Sequence, residues 1–217
     1  MESAAVNVQA FVEQHLPSTP ARILEIGCGQ GDLARALADK GFAVTAIDPR
    51  APDGDIFQAA SLEDFADPEP FDVLVAIRSL HHIHDLAGAV AKMAQLLRPG
   101  GRVVIHEHAW ERLDHDTARW YLEQRAADGH GHRAPTTAED CIHRWNNDHR
   151  DLHTSTTMLA ALENHFTQLY FAWAPYLHGE LAPAVTAEQE QSLIDAGAIQ
   201  ASGFNFVGES QTSGRPR

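Results

Sequence analysis

Short apolar runs alternate with helical repeats through the first half of the sequence. The apolar runs cover residues 22–27, 42–48, 71–77 and 102–106, and helical patterns at 32–40 and 86–97 lie between them. Such an alternation is typical of βαβ units, in which helices cover both faces of a parallel sheet. The sequence therefore predicts an α/β fold with a mostly parallel sheet.

The second half of the sequence is less regular. Helical patterns are predicted at residues 113–127, 136–145, 155–164 and 186–196, and strands at 166–173 and 203–207. Thr136 with Glu139, and Thr186 with Gln189, have the spacing of a capping box, which marks the start of a helix. A further helix is predicted ahead of the first strand, and a glycine-rich break at 128–135.

Composition limits the classes of function. The chain has 217 residues, which fits one domain or one domain with an insertion. Its formal charge of −14 argues against sequence-independent binding to nucleic acid or to anionic lipid, because both need a basic surface. The first residues lack the pattern of a signal peptide, and no apolar run is long enough to cross a bilayer. We therefore expect a cytoplasmic protein.

A glycine-rich turn joins the first strand to the first helix of the alternating region. Gly27, Gly29 and Gly31 let the backbone turn tightly and approach a ligand, and Asp48 ends the next strand, where a carboxylate can bind a ribose diol. A dinucleotide site needs G-x-G-x-x-G, but here Asp32 stands at the last glycine position and would repel a pyrophosphate. A turn without any ligand is the alternative interpretation.

Five segments in order carry a resemblance to a known family. They are Glu25-x-Gly27-x-Gly29-x-Gly31, Asp48, residues 71–75, Ser79-Leu80-His81-His82 and Leu97-Arg98-Pro99-Gly100-Gly101. Together they resemble the class I S-adenosylmethionine-dependent methyltransferases, and more closely the small-molecule branch related to ubiquinone-biosynthesis methyltransferases. The resemblance covers about residues 21–107. It implies a Rossmann-like sheet of seven strands, S-adenosyl-L-methionine as cofactor and S-adenosyl-L-homocysteine as product.

The resemblance also assigns roles around the glycine-rich turn. Gly27, Cys28 and Gly29 would line the amino-acid and ribose part of the cofactor, and Glu25 would orient its ammonium group. Asp48 would accept hydrogen bonds from both ribose hydroxyls, which are the stronger, charge-assisted kind. Pro49 would lie against the adenine.

Further cofactor contacts are implied on two other segments. Ser61 replaces the aspartate that many relatives use to bind the adenine amino group, and the backbone N–H of Leu62 would meet the ring. Ser61 and Asp64 also form a capping-box pattern, so a structural role for Ser61 is the alternative. Ile77 and Arg78 end the strand beside the methionine portion. A surface arginine is the alternative for Arg78.

Three histidines are candidates for a general base, which a proton-bearing methyl acceptor can require. His82 is the first choice because the Leu80-His81-His82 segment lies near the cofactor, although a histidine that orders this loop through backbone hydrogen bonds is an equal interpretation. His106 and His108 follow the fifth strand. Strand alternation puts these two side chains on one face of the sheet and Glu107 on the other.

More histidines lie in a segment that we interpret as a lid over the substrate: His130, His132, His143, His149 and His153. His149 and His153 have the spacing of one helical face and could bind zinc, but no third ligand is evident. Cys28 and Cys141 have neither zinc-site spacing nor the number needed for a disulfide framework. We therefore expect no metal site.

The sequence thus predicts a single methyltransferase domain over residues 1–217. It comprises a leading helix at 1–20, a cofactor-binding core at 21–109, a helical cap at 110–165 and the C-terminal half of the sheet at 166–210. The expected acceptor is a small organic molecule, and neither nucleic acid nor membrane is an expected partner. Three alternatives stay open: a protein methyltransferase, a non-catalytic S-adenosylmethionine-binding protein and a nicotinamide oxidoreductase.

Overall fold

The computed structural model describes residues 8–127, 135–181 and 185–211. Within these ranges seven strands form one sheet: β1 (Arg22–Ile26), β2 (Ala43–Asp48), β3 (Phe57–Ala59), β4 (Phe71–Ile77), β5 (Leu97–His108), β6 (Phe166–Ala174) and β7 (Gly203–Ser210). The helices of the same ranges are α1 (Val8–Gln14), α2 (Asp32–Asp39), α3 (Leu86–Leu96), α4 (His115–Ala127), α5 (Ala138–His149), α6 (Ser155–Glu163), α7 (His178–Leu181) and α8 (Ala187–Asp195).

The strands lie in the order β3-β2-β1-β4-β5-β7-β6. Strands β1 to β5 pair in parallel, whereas β7 runs antiparallel to both β5 and β6. The predicted α/β fold with a seven-stranded, mostly parallel sheet is therefore confirmed. Strands β2 and β3, which follow β1 in the chain, lie on one side of it, and the strands that follow β4 lie on the other side of β4. A crevice therefore opens outside the carboxyl ends of β1 and β4. In open α/β sheets that crevice is where ligands bind.

Both faces of the central strands are buried beneath helices, which explains why these strands are nearly continuous apolar runs. One face packs against α3 and α6 through residues such as Val90, Met93, Met158 and Leu162. The other face packs against α1 and α2 through Phe11, Val12, Ala34 and Leu37. This packing holds the loops at the carboxyl ends of the strands on a rigid base.

The helices after β5 divide between two apolar clusters. Helices α4 and α5 share a cluster that contains Tyr121, Cys141 and Trp145 and that also receives Leu177 and Leu181 from the segment after β6. Helix α6 packs instead on the sheet and on α3. Of the segment predicted as a cap, α4 and α5 thus form a separate cluster that meets the sheet at His108, the carboxyl end of β5, and α6 packs on the sheet between β5 and β6.

Three local features of the structure were not predicted from the sequence. The short strand β3 has no distinctive sequence pattern, because it is three residues long and mostly exposed, and its pairing with β2 defines it. Strand β5 begins at Leu97, which pairs with Phe71, and residues 98–101 bulge out before the ladder resumes at Arg102. Helix α5 is capped by Thr137, whose hydroxyl accepts from the Asp140 amide, and not by Thr136. The capping box of Thr186 and Gln189 is present as predicted.

Across the part of the chain that the structure describes, no helix combines the length and the hydrophobicity that a membrane crossing needs. Cys28 and Cys141 are both buried and free. Burial raises the pKa of the Cys28 thiol to about 11, so this side chain beside the glycine-rich turn stays protonated near neutral pH.

Candidate functional site

Three glycines after β1 hold the turn in conformations that other residues rarely adopt. Gly27, Gly29 and Gly31 have φ angles of 75°, 53° and 80°. A Cβ atom on Gly27 would lie 2.5 Å from Cβ of Ser79, and one on Gly31 would lie 2.4 Å from the ring of Phe57. A Cβ atom on Gly29 would meet nothing within 4 Å. The turn thus passes close to β3 and β4 on one side and leaves open space beside Gly29 on the other.

Asp48 lies beside the turn, at the carboxyl end of β2. Its Oδ2 accepts a hydrogen bond of 3.1 Å from the Gly29 amide, and its Oδ1 accepts one of 2.8 Å from the Arg50 amide. Both bonds fix the orientation of the carboxylate. Each oxygen retains lone pairs for further donors, so the group can still bind two hydroxyls of a ligand.

Two adjoining cavities meet at Asp48. The first has a volume of 490 Å³, and the second, beside the glycine-rich turn, has 720 Å³. The predicted cofactor residues divide between the two cavities. Pro49, Ser61 and Leu62 line the first cavity, and Glu25, Cys28, Gly29 and Ile77 line the second. Gly27, Asp48 and Arg78 line both. All ten predicted cofactor residues therefore border one groove across the carboxyl ends of β1, β2 and β4.

Glu25 is a buried carboxyl group at the inner end of the second cavity. The side chain is 4% exposed, and its Oε2 atom has no hydrogen-bond partner. Burial raises the pKa of Glu25 to about 7, the backbone amide of Ala34 opposes this shift, and the nearby charge of Asp32 adds to it. A buried acceptor without a partner is costly unless a ligand supplies the donor.

Ser61 has a local role that the sequence left open. Its hydroxyl donates to Oδ2 of Asp64 at 3.0 Å and accepts from the Asp64 amide at 3.2 Å. The capping-type interaction is therefore formed, while Ser61 also borders the first cavity. With its hydrogen directed to Asp64, the Ser61 oxygen can act toward a ligand as an acceptor only.

A buried carboxyl group organises the loop after β4. Oε1 of Glu107 accepts from the amides of Ser79 (2.7 Å) and Leu80 (2.5 Å). Oε2 lies 2.6 Å from Nδ1 of His81 and accepts from the His108 amide at 3.0 Å. Glu107 is completely buried. Ser79 and His82 line the first cavity and His81 and His82 the second, so Glu107 fixes one wall of the groove.

The three candidate histidines occupy different surroundings. His82 is exposed and lines both cavities. His106 is buried, and its Nδ1 lies 2.8 Å from Oδ1 of Asn205. His108 is buried in an aromatic cluster, where its ring stacks on Tyr176 with centroids 4.1 Å apart and meets Trp145 edge-on. Only His82 of the three borders the cofactor groove.

The pKa values of these histidines follow their burial. Burial lowers the pKa of His82, and the charge of His81 lowers it further. Burial likewise lowers the pKa of His106 and brings that of His108 to about 2, with a further contribution from His149. His108 is therefore neutral throughout the physiological range. Its Nε2 is buried without a hydrogen-bond partner, and the ring borders none of the cavities described above.

A second buried carboxyl group organises the loop after β6. Oε1 of Glu190, on α8, accepts from the amides of Tyr176 and Leu177, and Oε2 accepts from the amide of His178 at 2.7 Å and lies 2.9 Å from its Nδ1. Tyr176 and His178 line a third cavity of 310 Å³, which adjoins the second and is also bordered by His106. Glu190 thus fixes this loop over the crevice.

Comparison with known proteins agrees with this geometry. The sequence model of a family described as "Methyltransferase domain" matches residues 3–164, which is most of the chain. The chain belongs to this methyltransferase family. The resemblance to class I S-adenosylmethionine-dependent methyltransferases is thereby confirmed at the level of the family.

The methyltransferase is similar in sequence to curated relatives and similar in fold to solved structures. It is 35% identical over 111 residues to the ubiquinone biosynthesis O-methyltransferase of Xylella fastidiosa, a match that covers 44% of this chain and 45% of the relative. The chain thus spans about half the length of the curated relatives it matches. It shares its fold with the N-methyltransferase NodS of Bradyrhizobium japonicum, solved with S-adenosyl-L-homocysteine (TM-score 0.54, 16% identity, 93% of this chain and 84% of that one).

A second solved structure has the same fold with an acceptor bound. The 1,6-didemethyltoxoflavin-N1-methyltransferase of Burkholderia thailandensis, solved with 1,6-didemethyltoxoflavin and S-adenosylhomocysteine, has a TM-score of 0.57 and 18% identity, over 97% of this chain and 80% of that one. At such identities the likeness concerns the fold, and the site of the methyltransferase rests on its own residues.

The histidines of the helical segment do not converge in the methyltransferase. Helix α5 ends at His149, so His153 lies beyond it and the two do not share a helical face, contrary to the expected spacing. Nδ1 of His149 lies 2.7 Å from the Trp145 carbonyl, and Nε2 of His153 lies 2.8 Å from the Ile83 carbonyl. Among residues 8–127, 135–181 and 185–211, no three metal-ligating side chains are grouped. His130 and His132 lie outside the described residues.

Three residues that hold or line the groove of the methyltransferase are not marked in the sequence: Glu107, Tyr176 and Glu190. Glu107 was placed only on a sheet face, and Tyr176 and Glu190 were not singled out. No local motif marks them, because their partners are distant in sequence: Glu107 lies 28 positions from Ser79, and Glu190 lies 14 positions from Tyr176. A buried glutamate inside an apolar strand was the one available signal, since such residues are rarely buried without partners.

Proposed function

We propose that this chain transfers a methyl group from S-adenosyl-L-methionine to an oxygen or nitrogen atom of a small organic molecule such as a secondary metabolite, and that it acts in the cytoplasm. The observation that carries this proposal is the groove in which ten residues converge on Asp48. Two cavities, one on each side of this carboxylate, match a cofactor with a nucleoside end and an amino-acid end. The family and the fold support the same assignment.

The residues fit such a cofactor. The unpaired, buried Oε2 of Glu25 is an acceptor placed to bind an ammonium group, and the open space beside Gly29 admits a ligand against the backbone. Asp48 would hold the ribose hydroxyls, and Pro49, Ser61 and Leu62 would enclose the adenine. When bound, S-adenosylmethionine supplies a methyl group activated by a sulfonium.

The contribution of this chain to catalysis is mainly orientation. Ile77 and the loop fixed by Glu107 hold one wall of the groove, and Tyr176 closes the acceptor side. Holding two reactants in line can supply about 7–11 kcal/mol of rate enhancement. Because the loops are fixed by fully buried carboxyl groups, this geometry is present before any ligand binds.

His82 is the general base that the structure favours among the three candidates. It borders the groove, and its lowered pKa leaves it neutral near pH 7. We expect His82→Asn to lower kcat by about 100-fold for an acceptor that must lose a proton, with little change in the KM for the donor. The variant should also lose the acidic limb of the pH–rate profile.

The control is His143→Asn, which changes an exposed histidine on α5. It should behave as the wild type. A His82 variant with unchanged kcat and an unchanged pH profile would assign His82 to the ordering of its loop.

The raised pKa of Glu25 predicts a pH-dependent affinity for the cofactor. An ammonium group favours the ionised carboxyl, so below about pH 7 binding must displace a proton. We expect S-adenosylhomocysteine to bind about ten-fold more weakly at about pH 6 than at about pH 8. Calorimetry in two buffers of different ionisation enthalpy measures both the affinity and the proton release.

The same shift acts in the opposite direction on the stability of the ligand-free protein. The folded pKa of Glu25, about 7, exceeds its ordinary value of 4.5, so the folded state holds a proton that the unfolded state releases. Stability from this group is complete below about pH 4.5 and is lost as the pH rises through about 7. Glu25→Gln should abolish both dependences, whereas Glu123→Gln, on the exposed face of α4, should preserve them. A flat affinity profile in the wild type would contradict the role of Glu25.

One experiment separates this function from its alternatives. Calorimetry with S-adenosylhomocysteine and with NAD tests the cofactor, and a turnover screen with phenols, amines and small carboxylic acids tests the acceptor. Binding of NAD in preference would indicate an oxidoreductase, and binding of the donor without any turnover would indicate a non-catalytic role. Methylation of added protein but of no small molecule would indicate a protein methyltransferase. The net charge of −14 argues against nucleic acid as acceptor.

A further inference from the structure

The third cavity extends the groove away from the nucleoside side. Its volume is 310 Å³, within the range of a small-molecule site, and it shares Val8, Ile77, Arg78 and Tyr176 with the second cavity. Of the residues that the structure describes, Arg78 is the one that lines all three cavities. This arginine therefore stands where the cofactor groove opens into the space left for an acceptor.

Arg78 has an unusual backbone conformation. Its φ angle is 51°, and it is the one non-glycine residue of the described ranges with a positive φ. Its amide donates to the His106 carbonyl at 2.8 Å, which fixes the residue at the end of β4. Strain of this kind persists where the surroundings impose it, and it is found disproportionately at ligand sites.

The guanidinium of Arg78 lies on the side of the third cavity. A Cβ atom on Gly179, which lines that cavity alone of the three, would stand 3.6 Å from Nη1 of Arg78. Within the described part of the chain the guanidinium makes no ion pair and no hydrogen bond, although the protein carries a large excess of acidic residues. The charge is thus available to a ligand.

Among the residues that the structure describes, no carboxylate lines the third cavity. Besides Arg78, its polar side chains are His106, Tyr176 and His178, and the others are apolar or glycine. The carboxyl groups of the neighbouring residues bind other partners: Glu190 binds the backbone and ring of His178, Glu107 binds the loop after β4, and Glu180 accepts from the Tyr121 hydroxyl. An anion in this cavity would meet a cation and hydrogen-bonding groups without a facing negative charge.

We propose that the third cavity holds the methyl acceptor and that this acceptor carries a carboxylate, which Arg78 binds with help from Tyr176 and His178. This inference rests on the proposed function, since it names the acceptor class of the same site. A guanidinium binds a carboxylate through two parallel hydrogen bonds, which orients a planar ligand as well as holding it. The alternative ligand of the Arg78 guanidinium is the carboxylate at the amino-acid end of S-adenosylmethionine.

The test compares matched probes in protein saturated with S-adenosylhomocysteine. The probes are benzoate, indole-3-acetate and acetate, each paired with its neutral amide, and their dissociation constants are measured by ligand-observed NMR. We expect at least one acid to bind about ten-fold more tightly than its amide. Arg78→Met should remove this preference. Arg102→Met changes an exposed arginine on β5, which pairs with Val73 of β4. This variant makes the same change in net charge and should retain the preference for the acid.

The affinity for S-adenosylhomocysteine, measured on each variant, separates the two sources. Loss of the acid preference in Arg78→Met, with a cofactor affinity that falls by much less than ten-fold, supports the acceptor subsite. The inference is overturned if Arg78→Met binds S-adenosylhomocysteine about ten-fold more weakly and the wild type shows no preference for the acids. The guanidinium would then bind the donor. Equal binding of every acid and its amide would also overturn it, even where the protein binds the cofactor and the proposed function stands.

Discussion

Asp48→Ala is expected to weaken the binding of S-adenosylhomocysteine by about 3–5 kcal/mol. Two ribose hydroxyls would lose a charged acceptor, and each hydrogen bond to a charged group contributes about 1.5–3 kcal/mol. The change also removes the acceptor of the Gly29 and Arg50 amides, so the glycine-rich turn loses its tie to β2. Isothermal calorimetry gives the dissociation constant directly.

Two further variants make the Asp48 result specific. Asp48→Asn keeps one acceptor oxygen and should lose about half of the binding energy lost by the alanine variant. Asp53→Ala removes an exposed carboxylate from the loop after β2, with the same change in net charge, and should bind like the wild type. An alanine variant at Asp48 that is folded and binds with wild-type affinity would remove the basis of the cofactor assignment.

The cofactor side of the site could be predicted because its determinants are local. The turn from Gly27 to Gly31 needs positive φ angles within five consecutive residues, and only glycine satisfies these cheaply. Asp48 ends the strand next to β1, so strand pairing alone brings it to the same edge. Sequence spacing and sheet topology therefore fix this half of the groove together.

The acceptor side could not be predicted in the same way. It is made by Val8 from α1, Arg78 from the end of β4 and Tyr176 from the loop after β6. These residues meet only through tertiary packing, and no spacing rule relates them. Arg78 was considered as a cofactor residue from its position at a strand end, but its positive φ and its approach to Gly179 are visible only in the structure.

Strand alternation gave a partial result for the histidines. It predicted that His106 and His108 share a face, and both rings do stack on Tyr176. Alternation carries no information on whether that face is open, and here Tyr176 and Trp145 cover His108. A periodic pattern thus predicts the direction of a side chain, whereas its access to a ligand depends on elements distant in sequence.

Glu107 is likewise defined by contacts distant in sequence, and its substitution has the largest expected effect on the free energy of unfolding. Glu107→Ala leaves three backbone amides and one ring nitrogen of His81 without their acceptor, all in a region with little access to water. Each buried donor left unpaired costs about 1–3 kcal/mol, and partial access of water reduces the sum. We expect a loss of about 3–5 kcal/mol, which is a large part of the stability of a typical domain. Urea unfolding followed by circular dichroism measures it.

Glu107→Gln keeps the prediction testable if the alanine variant does not fold. The glutamine oxygen can still accept from the amides of Ser79 and Leu80. Its NH2 group faces Nδ1 of His81, which can accept from it in the other tautomer. The NH2 group also faces the His108 amide, which is a donor and cannot accept. One unfavourable contact then replaces four lost ones, so the loss should be about half of that in Glu107→Ala. Glu163→Ala, an exposed site at the end of α6, controls for charge and should unfold like the wild type. Because Ser79, His81 and His82 line the cofactor groove, Glu107→Gln should also weaken S-adenosylhomocysteine binding. A folded variant with wild-type stability and affinity would show that the loop is held by other contacts.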